Sequence, residues 1–355
     1  MSIKRKRVQK FQIVRKLQAR ELSEICSQIA AMTSVGIHIG KTMEILQKGA
    51  VEPRIRKAYQ KLYQLLMEGM LLSDAMEETG RFPEMVIHMF YSAEASGQLE
   101  KTAHNLAIHY QREHRLENQI RSVLLYPKIL AAMSFLMLIF MFRFLIPSIQ
   151  PLFEGMELPL LTRGLVWVGM IFEETWYFLF PAVLLLLMVW NILLRNRKIR
   201  SFYEWCKFRM PIIGKQWKII YTARFAGILS SLYGSGISLV ESVELAGKTL
   251  GNRYLERQFY GVVRDMKGGV LLSAAIGKVD GLDRRLMPVF YVGEETGKLD
   301  EMLDRIAENY RYEAETALTR LAAMIEPVMI LCMGFIVGLL LLGVMLPLWN
   351  MYGNI

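Results

Sequence analysis

Gly293-Glu294-Glu295-Thr296-Gly297-Lys298-Leu299 reads as a tight turn between two helices. One earlier stretch answers it: Ala93-Glu94-Ala95-Ser96-Gly97-Gln98-Leu99. Glycine lacks a Cβ and tolerates positive φ at a helix end, so Gly97 and Gly297 are expected to close one helix. Leu99 and Leu299 then anchor the next. Glu94 and Glu294 need a separate account, because a carboxylate just inside a helix C-terminus opposes the dipole. It is tolerable if it accepts hydrogen bonds from the free N–H groups of the following helix. Two readings of Glu94, Gly97, Leu99, Glu294, Thr296, Gly297 and Leu299 stay open: a fixed corner of an αα-hairpin, or a contact surface for a partner. Catalysis is not expected, since no nucleophile or second acid recurs beside the carboxylates.

The match runs on without a gap at the same spacing, position 93 against 293. Gly36, Ile37 and Glu44 answer Gly236, Ile237 and Glu244. Gly69, Leu71, Leu72, Ser73 and Ala75 answer Gly269, Leu271, Leu272, Ser273 and Ala275. Ala107, Tyr110, Pro127 and Pro147 answer Ala307, Tyr310, Pro327 and Pro347. The chain is therefore two copies of one unit, and each copy ends in an apolar run.

Three apolar runs reach the roughly 20 residues that a bilayer crossing requires. They are Ile129 to Ile146, interrupted only by Arg143; Trp176 to Leu194; and Val328 to Trp349. Arg143 lies near the far end of its run, where a long side chain can snorkel to the interface. Lys and Arg near the ends of the runs set the orientation. Arg112, Arg115, Arg121 and Lys128 precede the first run, and Arg195, Arg197, Lys198 and Arg200 follow the second. Between them Arg163 stands against Glu154, Glu157, Glu173 and Glu174. The expected topology has the N-terminus inside, a short acidic loop outside, the second unit inside and the C-terminus outside. The expected boundaries are a basic tail at 1–18, a cytoplasmic helical domain at 19–127 and a first span at 128–147. An external loop follows at 148–175 and a second span at 176–195. A second cytoplasmic helical domain covers 196–326, a third span 327–349 and an external C-terminus 350–355.

Within the first unit the apolar residues keep helical spacing. Leu22, Ile25, Ile29 and Met32 share a face, and Gly36 sits where a helix would end. Ile39, Met43 and Leu46 make a second short face. Pro53 can open a third helix that turns Ile55, Tyr59, Leu62 and Leu66 inward. Ser73 suits the N-cap of a fourth, Phe82-Pro83 starts a fifth, and a sixth runs from Leu99 to Tyr126. No stretch alternates like a strand. The fold class is all-α: two homologous bundles of about six helices each, plus three transmembrane helices.

Other motifs fail on spacing. Gly36-Ile37-His38-Ile39-Gly40-Lys41-Thr42 has one residue too few for a phosphate-binding loop, and no strand precedes it. His104, His109 and His114 step by five, which does not align them on a helix face, so they read as surface histidines. Cys26, Cys206 and Cys332 have no paired spacing, so neither a disulfide framework nor a zinc site is suggested. No cofactor is expected. The tail containing Lys4-Arg5-Lys6-Arg7 lacks the apolar core of a signal peptide and reads as a solvated or lipid-touching arm. Leu165 to Phe172 is apolar but short, more interfacial than spanning. Tyr126-Pro127 and Glu326-Pro327 mark the junction of each bundle with its span, as a simple kink or as a hinge.

At these residues the chain resembles the type II secretion system F family, the polytopic platform proteins of type II secretion, type IV pilus and competence pseudopilus machines. The first copy carries Gly36, Gly69, Phe82-Pro83, Glu94 through Leu99 and Tyr126-Pro127. The loop Leu158-Pro159-Leu160-Leu161-Thr162 is similar to the family's segment between spans. The second copy carries Pro211, Gly214, Ala223-Arg224-Phe225, Gly236, Asn252, Gly293 through Gly297, Leu299, Glu326-Pro327 and Pro347. Ala93 departs from the family's glycine, and Leu282-Asp283 departs from its Phe-Pro. The resemblance implies a non-enzymatic, homo-oligomeric, multi-pass platform in the cytoplasmic membrane. Its implied partners are a hexameric assembly ATPase, pilin-like subunits and other inner-membrane machine components, with no direct nucleic-acid binding. The rivals are a repeat-built transporter, against which the repeated mass lies outside the apolar runs, and a membrane enzyme or sensor.

Overall fold

The computed structural model describes residues 16–149, 197–211 and 213–353, with scattered positions from 151 to 189 between them. Most of the basic tail, most of the loop expected outside and most of the second apolar run lie outside the described residues. The described chain is helical, and among the described residues its only β pairing is an isolated bridge between Asp280 and Leu282.

The first repeat runs α1 (Ala19–Ser34), α2 (Ile39–Gly49), α3 (Pro53–Met67), α4 (Leu72–Thr79), α5 (Glu84–Ser96), α6 (Leu99–Val123) and α7 (Leu125–Phe140). Among the described residues, α8 (Arg197–Arg209) has no counterpart in the first repeat. The second repeat follows as α9 (Ile213–Gly234), α10 (Leu239–Thr249), α11 (Arg253–Lys267), α12 (Leu272–Ile276), α13 (Leu286–Thr296), α14 (Leu299–Ala323) and α15 (Ile325–Gly353). Each helix of the first repeat thus has a partner eight labels later.

The helical spacing becomes a buried stripe. On α1, Leu22, Ile25, Cys26 and Ile29 are buried, the i, i+3, i+4, i+7 pattern of one helix face. Burial pushes the Cys26 thiol up to about 12, so it is a packing residue and not a nucleophile at neutral pH. Ile25, Met43, Tyr59, Met76, Phe90 and Leu106 form the first core. Phe225, Val243, Phe259, Ile276, Phe290 and Ile306 occupy the matching positions of the second. One expectation changes: α4 begins at Leu72 with Leu71 as its N-cap, and Ser73 lies in the first turn. Another changes on α3, where Leu65 is buried and Leu66 only half-buried.

The chain divides into two compact units. One holds residues 1–117, 221–251 and 255–311, so it contains both small bundles; the other holds 118–220, 252–254 and 312–355. In the first unit, α6 and α9 meet through polar side chains. Asn105 donates to Ser235 Oγ at 3.1 Å, Nδ1 of His109 lies 3.2 Å from Ser231 Oγ, and Arg224 pairs with Glu113 at 3.5 Å.

In the second unit, α7 continues through a π-helical segment, Met141–Leu145, to Ile149. Arg143 sits in that segment with its side chain exposed. The helical run through α6 and α7 and the one through α14 and α15 are each long and apolar enough to cross a membrane. Met141, Ile146 and Leu340 pack together, with Phe142, Leu165, Ile336 and Val337 against them. Thr162 donates to the Gly343 carbonyl at 2.7 Å, a buried bond that satisfies a hydroxyl among apolar side chains.

Candidate functional site

The duplicated corner closes as the glycines imply. Gly97 and Gly297 end α5 and α13 with φ of +72° and +67°, the left-handed region that a Cβ disfavours. Leu299 is buried and Leu99 half-buried at the start of the next helix. Thr296 bonds back to the Val292 carbonyl at 2.7 Å and is exposed.

Glu94 does something the sequence did not indicate. Its carboxylate reaches backward to the start of α4 and not forward to α6. Oε1 accepts from Leu72 N at 2.5 Å, and Oε2 accepts from Ser73 N at 3.1 Å and from Ser73 Oγ at 2.5 Å. Glu294 repeats this on α12, with Leu272 N at 2.5 Å and Ser273 N at 3.1 Å. A helix N-terminus carries unpaired N–H groups and partial positive charge, so a carboxylate bridging two of them is a charge-assisted cap. The residue that opposes the dipole of its own helix completes the dipole of another. This explains why both α4 and α12 start on a leucine with no side-chain cap of its own.

Position 93 explains one departure within the repeat. A Cβ on Gly293 would lie 3.0 Å from Leu299 Cδ1 and 3.2 Å from Leu299 Cα, so the corner is tighter in the second copy. The first copy carries Ala93, buried at the same position.

The junction prolines are placed by the same symmetry. The helix breaks at Leu124 and at Met324, and Pro127 and Pro327 sit in the first turns of α7 and α15. The break falls a turn before the proline because the ring cannot donate to the carbonyl four residues back. Tyr126 and Glu326, which occupy equivalent positions in the two copies, meet across the unit: the Tyr126 hydroxyl donates to Glu326 Oε1 at 3.3 Å.

Two further residues matter whose roles do not follow from the sequence. Glu204 on α8 accepts from Arg253 N at 2.8 Å and Tyr254 N at 3.3 Å, and so caps α11. In the first copy α3 opens on Pro53, which lacks the N–H that Arg253 presents at the matching position, so one fewer donor there needs an acceptor. His109 is not a surface histidine. Its side chain is nearly buried beside Ser231, and burial, with Arg112 and Arg224 nearby, lowers its pKa to about 4. Among the described residues no three His, Cys, Asp or Glu side chains gather as a metal site.

Comparison with known proteins agrees with this duplication. The family described as "Type II secretion system (T2SS), protein F" matches residues 25–147 and again residues 225–347. Each match contains one corner and ends with one apolar span. The type IV pilus assembly protein PilC of Myxococcus xanthus is 25% identical over 346 residues, covering 96% of this chain and 82% of that protein. The type II secretion system protein F of Xanthomonas campestris is 27% identical over 335 residues, covering 93% of this chain and 82% of that one. The protein transport protein HofC homolog of Haemophilus influenzae is 24% identical over 359 residues, covering 97% and 88%. With two matches that together span most of its length, this chain belongs to the type II secretion system protein F family.

Proposed function

We propose that this chain is the membrane platform of a secretion, pilus or competence-type machine, coupling a cytoplasmic hexameric ATPase to the assembly of pilin-like subunits. The observation that carries the reading is the double family match, each half pairing a polar helical bundle with an apolar span. Relatives named for both pilus assembly and type II secretion align over nearly the whole chain. In this reading the role is non-enzymatic, and the corner carboxylates serve as helix caps. The bundles face the cytoplasm with the basic flanks of the spans, and the C-terminus lies outside. In this reading Glu94 and Glu294 hold the two corners in shape, the bundles dock the motor, and Pro127 and Pro327 act as hinges between bundle and span.

The test is a deletion strain complemented with wild type or with Glu294→Ala, scored for surface filaments and secreted protein, with the amount of platform measured alongside. Loss on deletion and rescue by wild type is the expected result. Low abundance of Glu294→Ala would accord with the capping role. Normal abundance without assembly would make the corner a working surface. Intact assembly in the deletion strain would overturn the platform reading.

A further inference from the structure

The surface beside each carboxylate cap carries the same exposed apolar residues in both repeats. Leu71 is 51% exposed and Leu271 49%; Tyr91 is 60% exposed and Tyr291 52%. Met70 and Val270 complete the two patches. Glu94 ties the start of α4 to α5, which brings Leu71 and Tyr91 to one surface; Glu294 does the same for Leu271 and Tyr291. Neither bundle needs these side chains outside for its own core, and exposed Tyr, Leu and Met gathered in one place mark an interaction surface.

The charges around the two patches differ in sign. On the first, Glu68, Asp74, Glu77 and Glu78 are exposed. The same positions on the second hold Gly268, Ala274, Gly277 and Lys278. The second adds exposed Arg264, Lys267 and Lys298, where the first has Gln64, Met67 and Gln98. It is not purely basic: Glu295 is exposed there, Asp265 pairs with Lys278 at 2.7 Å, and Lys267 pairs with Glu244 at 3.4 Å, which leaves Arg264 and Lys298 as its main positive charges. The apolar centres match while the rims are complementary, acidic on one and mainly basic on the other. Two acidic rims would repel each other, and so would two basic ones; an acidic rim against a basic one attracts.

We propose that these two patches bind one another between molecules: the α4–α5 face of one copy seats on the α12–α13 face of a second copy of this chain. The contact is heterologous, so each molecule keeps one free face of each kind, and the association extends head to tail until it closes a ring. The proposal does not depend on the identity of the machine, since it concerns the purified chain alone.

Full-length chain in detergent micelles tests it by mass measurement and cross-linking. Variant one carries Leu71→Asp with Tyr91→Asp; variant two carries Leu271→Asp with Tyr291→Asp. All four positions are exposed, and a helical thermal melt checks folding. Wild type is expected to self-associate, with weakening at high salt. Each variant alone is expected to lose self-association by about tenfold or more, the effect of charging the apolar centre of an interface. An equimolar mixture is expected to recover a heterodimer, because one intact face of each kind remains between the two molecules. Should either variant fail to fold, Asp74→Lys with Glu78→Lys takes the place of variant one. A monomeric wild type, or variants that assemble as wild type does, would overturn the proposal. So would folded variants whose mixture stays monomeric. Unchanged self-association with failed filament assembly in cells would overturn it too, and would give the patches to a different protein.

Discussion

In the first repeat the Tyr59 hydroxyl donates to Gln28, at the edge of a buried ring. In the second repeat the same two positions hold Phe259 and Ile228, both buried. A hydroxyl brought its acceptor with it, and both were absent together from the other copy. The neighbouring core position changes from Ile25 to Phe225, whose ring lies 4.8 Å from that of Phe259. Gly247 makes room: a Cβ there would fall 2.6 Å from Phe259 Cβ, whereas the first repeat carries Gln47. The two bundles share one backbone plan, and each satisfies it with a self-consistent set of side chains. What both copies hold in common is a carboxylate accepting from the first two N–H groups of the short helix. Packing volume can be redistributed among neighbours, but unpaired N–H groups at a helix start need an acceptor in one place.

The largest effect expected from breaking this comparison is at the cap. Glu94→Ala leaves two N–H groups and a hydroxyl without their acceptor and should cost about 4 kcal/mol; Glu294→Ala loses two bonds and should cost about 3 kcal/mol. Thermal denaturation of the purified chain checks both the size and the order.

The next is confined to the first repeat, because His109 has Asn309 as its counterpart. The folded chain holds the imidazole neutral down to about pH 4. Below the ordinary histidine value the unfolded chain takes up a proton that the folded chain refuses. Stability is therefore intact above about pH 6.5 and falls by about 3 kcal/mol on the way to pH 4. His109→Asn should flatten that slope in denaturant titrations across the same range.

Gly247→Ala should follow, at about 2 kcal/mol, from overpacking against Phe259. The equivalent change in the first repeat, Gln47→Ala, should cost far less. Parallel melts of the two variants decide whether the second core is the tighter one.

The smallest effect sharpens the polar pair. Gln28→Ile strands the Tyr59 hydroxyl and should cost about 1–2 kcal/mol, while Gln28→Ile with Tyr59→Phe recreates the second repeat's solution and should regain most of it. A double-mutant cycle with no coupling would show the two positions to be independent.

The corner was legible in sequence down to the backbone of Gly97 and Gly297, because a helix that turns sharply needs positive φ and only glycine supplies it cheaply. The direction of Glu94 was not. A side chain inside a helix end can reach an N–H group on either neighbouring helix, and the choice of α4 over α6 is made by packing. Ser73 misled for a related reason: serine is a good N-cap in isolation, yet here the cap arrives from 21 residues away and the serine hydroxyl serves it. His109 looked like one of three evenly spaced surface histidines. Its own repeat gives no sign that α9 of the second copy lies against it. Glu204 had no repeat partner to draw attention to it.

By itself the sequence determined the duplication, the all-helical class, the two apolar helices that end the repeats and the sites where helices must stop. These follow from properties a residue carries locally: hydrophobic periodicity, a missing Cβ, a missing N–H. Only the tertiary structure decided which helix each corner carboxylate caps, that the two small bundles form a single compact unit, and that one histidine is buried neutral between α6 and α9. Those outcomes depend on which surfaces meet, and a carboxylate or an imidazole acquires its role from the groups that packing places beside it.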